Sequence, residues 1–176
     1  SKLGYEQWPL KSYPLPSGTA LVGGAVRDAL IGKLHSRPDW DLVVLKNAIE
    51  ITEQAAKITN GKCVILDSER DMARLIVNGW TIDIAKQIGG SLEEDLSRRD
   101  YRVNAMGVIL GPVPIFLDPT NGLEDIAQKK LVAVKEENLI DDPLRMLRGF
   151  RFMAELNFSL DAQTSTWINL HRTLLP

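Results

Sequence analysis

A single cysteine, Cys63, occurs in the whole chain, so no internal disulfide can form. It lies in the apolar run Cys63-Val64-Ile65-Leu66, where a buried, inert thiol is the expectation. No apolar run approaches the roughly 18 residues of a membrane span, and no signal-peptide pattern precedes the first turn. With the lone thiol, this makes cytoplasm the expected compartment. A positive surplus is also missing: 21 Lys and Arg stand against 23 Asp and Glu, a net charge of −2. Domains that grip nucleic acid alone are ordinarily basic, so an RNA-directed role requires most of the phosphate-gripping surface elsewhere. Internal repeats and low-complexity tracts are absent, which leaves a globular unit of ordinary size.

What is present is a globular composition, 44% hydrophobic and 25% charged. Pro9, Pro14 and Pro16 with scattered aromatics make residues 1–18 read as an extended arm. The expected strands are Thr19–Val22, Trp40–Leu45, Lys62–Leu66, Met72–Val77, Trp80–Ile84 and Ile115–Leu117. Trp40–Leu45 is almost continuously apolar and is expected to be buried on both faces. Asn78-Gly79 marks a hairpin. Helices are expected over Ala25–Ile31, Ala48–Thr59, Leu92–Leu96 behind an N-capping Ser91, Leu123–Ala127, Pro143–Leu156 and Ala162–His171. Tyr101–Leu110 reads as a helical turn leading into a strand. Strands before residue 118 and helices after 140 predict an α+β fold. The division is an arm at 1–18, a head at 19–140 and the start of a helical extension at 141–176, and the chain reads as the catalytic portion of something longer.

Four constellations carry chemistry. Leu21-Val22-Gly23-Gly24-Ala25-Val26-Arg27-Asp28 is a glycine turn with an arginine one helical turn on, a shape that lets backbone amides approach phosphate. Asp28 is expected to orient Arg27. Asp39 and Asp41 then open a strand, and side chains at i and i+2 share a face. Two carboxylates that close repel unless a cation lies between them, which points to Mg²⁺ and to phosphoryl or nucleotidyl transfer. Asp83, alone among apolar residues in Thr81-Ile82-Asp83-Ile84-Ala85, is a third acid or a base for the attacking hydroxyl. Arg98-Arg99-Asp100-Tyr101-Arg102-Val103-Asn104 is either a solvated basic loop or a ribose and phosphate contact through Arg99, Asp100 and Asn104. In Asp141-Asp142-Pro143-Leu144-Arg145, Pro143 suits the first helical position and Asp142 the N-cap. Leu144, Leu147 and Phe150 or Met146 form the expected apolar stripe, and Arg145, Arg148 and Arg151 share another face. Asp142 with Arg145 matches the Watson–Crick edges of cytosine and adenine and opposes those of uracil and guanine.

Leu21–Asp28 with Asp39 and Asp41, then Arg98–Ala105, then Asp118–Asp125, then Asp142–Phe152, taken in this order, resemble the bacterial-type tRNA nucleotidyltransferase and poly(A) polymerase family, part of the DNA-polymerase-beta-like nucleotidyltransferase superfamily. The resemblance covers most of residues 20–160. It implies a mixed-sheet head followed by a helical neck, Mg²⁺ on Asp39 and Asp41, and Asp83 as the third catalytic carboxylate. It implies nucleotide contacts from Gly23, Gly24, Arg27, Arg99, Asp100 and Asn104, base reading by Asp142 and Arg145, and support from Arg148 and Arg151. The implied partners are CTP, ATP and a tRNA 3′ end held mainly by helical domains outside this chain. Two departures stand out. The base-reading motif begins Asp141-Asp142 where Glu-Asp is usual, and residues 84–97 are short where enzymes that complete a CCA end carry a longer loop. A short loop leaves room for a CC-adding or otherwise specialised enzyme. The remaining alternatives are a poly(A) polymerase, a DxD nucleotide-sugar glycosyltransferase, which gives Asp142 and Arg145 no role, and a non-catalytic nucleotide-binding module, which needs no third acid.

Overall fold

A computed structural model describes residues 8–33 and 39–175. Its centre is a seven-stranded sheet. In chain order the strands are β1 (Ala20–Val22), β2 (Trp40–Val44), β3 (Lys62–Asp67), β4 (Met72–Val77), β5 (Trp80–Lys86), β6 (Gly107–Ile109) and β7 (Ile115–Leu117). They lie in the order β3-β4-β5-β2-β1-β6-β7, with only β2 and β5 parallel. The helices are α1 (Gly24–Leu30), α2 (Ala48–Thr59), α3 (Leu92–Ser97), α4 (Gly122–Gln128), α5 (Glu136–Asp141), α6 (Leu144–Leu156) and α7 (Ala162–His171). Two short strands, β8 (Lys130–Leu131) and β9 (Ser159–Leu160), pair in parallel beside the helices. The α+β architecture matches expectation.

Alternation along β1 and β2 separates two cores. Leu21, Leu42 and Val44 face the main core with Ala48, Ile51 and Ala55 of α2, whereas Val22 and Val43 face a smaller core with Leu92 and Leu96 of α3. β2 is therefore buried on both faces, and its odd member, Asp41, points to the α3 side. The strand ends at Val44, and Leu45 is exposed. The hairpin at Asn78-Gly79 has both residues at positive φ, the geometry that the dipeptide signals. Cys63 is half-buried against the main core rather than fully buried, and burial still pushes its thiol upward.

Two expectations need correction, and one helix was not foreseen. Residues 1–7 lie outside the described residues, but 8–18 is no free arm: Trp8, Leu10 and Tyr13 are buried in the main core, and Trp8 packs edge-on to Trp40 at 4.4 Å between ring centroids. Helix α5 was not anticipated: its six residues, with three acids and an Asn, carry no helical stripe. On α6 only Met146 of the expected stripe faces inward. Leu144, Leu147 and Phe150 are exposed, while Met146, Gly149, Phe152 and Leu156 are buried. The face is chosen by Tyr101, whose ring lies against Gly149 and whose hydroxyl donates to the Arg145 carbonyl at 3.0 Å. This third core joins Tyr101, Leu131 and Leu139 to Met146, Phe152, Phe158 and Ile168, and so spans residue 140.

The Asp118–Asp125 stretch supports this joint. Asp118 accepts from the N–H groups of Gly122 and Leu123, at 2.7 and 2.9 Å, and starts α4. Asp125 of α4 is buried, with its Oδ1 3.9 Å from Arg102. Burial pushes the Asp125 carboxyl up to about 6; Arg102 opposes this, and Glu124, Asp118 and Asp161 add to it.

Two outcomes follow from this packing. A Cβ at Gly149 overlaps the Tyr101 hydroxyl and ring, so Gly149→Ala should cost about 1–3 kcal/mol in urea unfolding, the usual range for overpacking. Asp125 has a raised folded pKa, so its cost to stability is absent below the unfolded carboxylate value, grows as pH rises toward 6, and is constant above. Asp125→Asn should therefore gain on the parent by about 2 kcal/mol between pH 4 and pH 7, checked by unfolding at both pH values.

Candidate active site

The sheet register builds a row of polar side chains on the face that α3 covers only in part. Asp41 on β2 is paired with Asp83 on β5, and Asp83 with Arg74 on β4. Paired residues point to the same side, so Arg74, Asp83 and Asp41 stand in line, about 4.8 Å from strand to strand. Asp39 precedes Asp41 by two residues and lies at the same cleft. Burial pushes the Asp41 carboxyl up; Arg99 and Arg148 pull it down, while Asp83 and Asp39 push it further up. The strand start is thus a place where a cation is favoured.

The Gly23-Gly24 turn closes over this row. Gly23 has φ 77° and ψ −143°, a backbone open to glycine alone, and a Cβ there would stand 3.2 Å from Asp41 Oδ2 and 3.5 Å from Arg99 Nη1. The turn can therefore come close to both a carboxylate and a guanidinium. Arg27, in α1, is only 7% exposed. Its Nη1 donates to Asn104 Oδ1 at 2.6 Å and its Nε to Asp28 Oδ1 at 2.8 Å, so Asp28 does orient it.

Asn104 lies in the 3-10 turn at Arg102–Asn104, and its Nδ2 donates to Asp100 Oδ1 at 3.3 Å. The other Asp100 oxygen pairs with Arg148 Nη2 at 2.9 Å. Asp100 and Asn104 are thus engaged with neighbours more than offered to a ligand. Arg99 is held by Asp95 Oδ2 at 3.2 Å, and Asp95 also accepts from the Ile88 N–H at 2.9 Å.

The opposite wall is α6. Asp142 stands extended just before it, with its Oδ1 accepting from the Leu144 N–H at 3.2 Å, and Pro143 already has helical angles. Arg145 Nη1 donates to the carbonyls of Arg98 and Asn138, at 3.0 and 2.9 Å, and its Nε is 3.7 Å from Asp142 Oδ2. Arg27, Arg148 and Arg151 all gather around the Phe152 ring, at 5.5, 5.7 and 5.0 Å from its centroid.

A cleft of about 1080 Å³ runs between the walls. Gly23, Gly24, Arg27, Asp39, Asp41, Arg99, Asp100, Asn104, Asp142, Arg145, Arg148 and Arg151 all line it; Asp83 does not. Both Asp83 oxygens are held by Arg74, Nε to Oδ1 at 2.7 Å and Nη2 to Oδ2 at 2.9 Å. Sequence reasoning missed Arg74, Asp95, Asn138 and the aromatic role of Phe152. Two of these had a signal: Arg74 and Asp83 lie equally far from the Asn78-Gly79 turn, and Asp95 is one helical turn before Arg99. Among the described residues no group of three or more Asp, Glu, His or Cys is arranged to hold a metal. Asp39 and Asp41 remain, and one or two carboxylates completed by substrate phosphates suit Mg²⁺.

The sheet, with paired aspartates at a strand start beneath a glycine turn and an arginine-bearing helix, defines an α+β head of the nucleotidyltransferase class. Residues 19–132 match the family described as the Poly A polymerase head domain, and the chain belongs to that family. It is 43% identical over 161 residues to a CC-adding tRNA nucleotidyltransferase of Synechocystis sp., covering 92% of this chain and 38% of that protein. It is 37% identical over 151 residues to an A-adding tRNA nucleotidyltransferase of Deinococcus radiodurans, covering 86% of this chain and 33% of that one. A solved CCA-adding enzyme in complex with CTP superposes with a TM-score of 0.79 at 30% identity, covering 88% of this chain and 38% of that chain. The chain thus spans less than two-fifths of the length of these relatives.

Proposed function

We propose that this chain is the catalytic head of a template-independent RNA nucleotidyltransferase that adds C, A or both to the 3′ end of tRNA from CTP and ATP. The observation that carries the reading is that Asp39 and Asp41 line the same cleft, of about 1080 Å³, as Asp142 and Arg145. In the proposed division, residues 19–140 form the catalytic head, and 141–176 carry the base-reading helix and begin a helical neck. No helix among the described residues is long and apolar enough to cross a membrane; the cytoplasm is the proposed setting of a tRNA-processing enzyme.

In the proposed step, the RNA 3′-hydroxyl oxygen bonds to the α-phosphorus, the bond from that phosphorus to the pyrophosphate oxygen breaks, and the hydroxyl proton passes to a base. Asp39 and Asp41 would hold Mg²⁺, which supplies a lowered hydroxyl pKa and a counter-charge to the triphosphate. Asp83 is the third acid of the row. Gly23 and Gly24 let the turn approach the phosphates, and Arg99 and Arg148, which both line the cleft, balance their charge. Arg27 holds the wall through Asn104. Arg145, anchored through Nη1 to two carbonyls, keeps Nη2 for N3 or O2 of cytosine or N1 of adenine, and Asp142 accepts from the exocyclic amine.

Addition of C takes first place. Residues 84–97 are consumed by the end of β5, the Gly89-Gly90-Ser91 turn and α3, with no loop to spare. The CC-adding relative at 43% identity points the same way. Poly(A) synthesis is the second reading, favoured by the name of the matched family.

Two measurements test this reading. Calorimetric titration in Mg²⁺ should show CTP and ATP bound and UTP and GTP rejected. ATP alone would place A addition or poly(A) synthesis first, and indifference among the four would overturn the Asp142/Arg145 reader. In a longer protein containing this head, Asp41→Ala should abolish nucleotide incorporation with an unchanged circular dichroism spectrum; full activity would overturn the carboxylate site.

A further inference from the structure

The strongest polar contact in the carboxylate row is one that the proposed chemistry does not use. Arg74 and Asp83 face each other across β4 and β5, and the guanidinium fork occupies both carboxylate oxygens. Register puts Asp83 beside Asp41, yet Asp83 is missing from the lining of the cleft. A planar fork against a carboxylate is a directional, charge-assisted pair that fixes where the acid points. It is also reversible here, because the Arg74 side chain is 40% exposed and that of Asp83 16%.

The pair is not isolated from the site. The Arg74 charge is held more firmly by its hydrogen bonds to Asp83, and Asp39 and Asp41 add to this. Asp83 in turn pushes Asp41 upward. Three acids so close tolerate one another only near positive charge. Arg99 serves Asp41 from the side of the glycine turn. On the sheet itself, the cation in the row is Arg74.

We propose that Arg74 is an internal counter-cation of the carboxylate row, which holds Asp83 while no metal is bound and gives up one of its oxygens when a divalent cation binds at Asp39 and Asp41. This rests on the reading of Asp39 and Asp41 as metal ligands. Arg74 is then a positioning residue that competes with the metal: it sets how tightly the row takes a cation without touching substrate.

Mn²⁺ is the probe, titrated into this chain and followed by electron paramagnetic resonance. Arg74→Gln should bind Mn²⁺ about three- to ten-fold tighter than the parent, and Arg74→Lys, which keeps charge without the fork, should fall between. Asp83→Asn added to Arg74→Gln should remove the gain, because the ligand set free is then gone. An unchanged or weaker affinity in Arg74→Gln overturns the proposal. So does a gain that survives in the double variant, which would reflect loss of a positive charge alone. If Arg74→Gln fails to fold by circular dichroism, Arg74→Lys decides: no tightening there overturns the idea. Asp41→Ala separates this proposal from the reading beneath it. Loss of Mn²⁺ in Asp41→Ala with no effect of Arg74 variants sinks only the counter-cation. Parent-like Mn²⁺ behaviour in Asp41→Ala, bound or unbound, sinks the metal site and the counter-cation together.

Discussion

A guanidinium cannot be buried without acceptors, and satisfying Arg27 organises one whole wall of the cleft. Its Nη1 requires Asn104, and its Nε requires Asp28. Asn104, with its oxygen taken, turns its amide to Asp100, and Asp100 has a second oxygen that calls in Arg148 from α6. The Phe152 ring lies beside both guanidinium groups, its centroid 5.5 Å from the Arg27 Cζ and 5.7 Å from the Arg148 Cζ. The glycine turn, the 3-10 turn and α6 come from distant parts of the chain. One buried cation makes their positions depend on each other.

Charge is sorted by element type. The acids of the floor come from strands, where period-two alternation places Asp39 and Asp41 on the face opposite Trp40 and Leu42. The arginines of the far wall come from α6, where spacing by three gathers Arg145, Arg148 and Arg151 on one side. A strand fixes a short side chain tightly, which suits the proposed sharing of one ion by two carboxylates. A helix presents long side chains over a wider arc, which suits the proposed contacts with phosphates and a base edge. The cleft is therefore neither an acidic nor a basic patch, in keeping with the near-neutral charge of the chain.

The strands and α2 were legible because each signal was local. Ala48–Thr59 and Met72–Val77 have the expected bounds, and Asn78-Gly79 turns as it should. The cleft was legible because short motifs with strong local chemistry sit at strand and helix starts, so twelve of the thirteen expected residues meet there. What escaped was set by tertiary contact. Nothing in the sequence says that Tyr101 will press on Gly149, so the inward face of α6 was misread. Asp83 was read with no partner in view, although the hairpin register already places Arg74 opposite it. Residues 8–18 looked like an arm, because proline spacing shows extension and says nothing about where Trp8 packs.

Asn138 shows how the two halves of the proposed nucleotide site keep their spacing. It sits in α5, is buried, and donates through Nδ2 to the carbonyls of Ser97 and Arg99, at 2.9 and 2.8 Å. Its own carbonyl accepts from Arg145 Nη1. One residue therefore links the backbone that carries Arg99 to the Arg145 guanidinium. Tyr101 makes a second link of the same kind, through its hydroxyl to the Arg145 carbonyl, and burial pushes that hydroxyl upward, so it stays protonated as a donor. Arg145 is thus held at both backbone and side chain by the segment that also carries Arg99 and Asp100. Under the proposed function, a selector fixed this way would keep one distance from the carboxylate floor, so that a mismatched base edge leaves a donor or acceptor unmet.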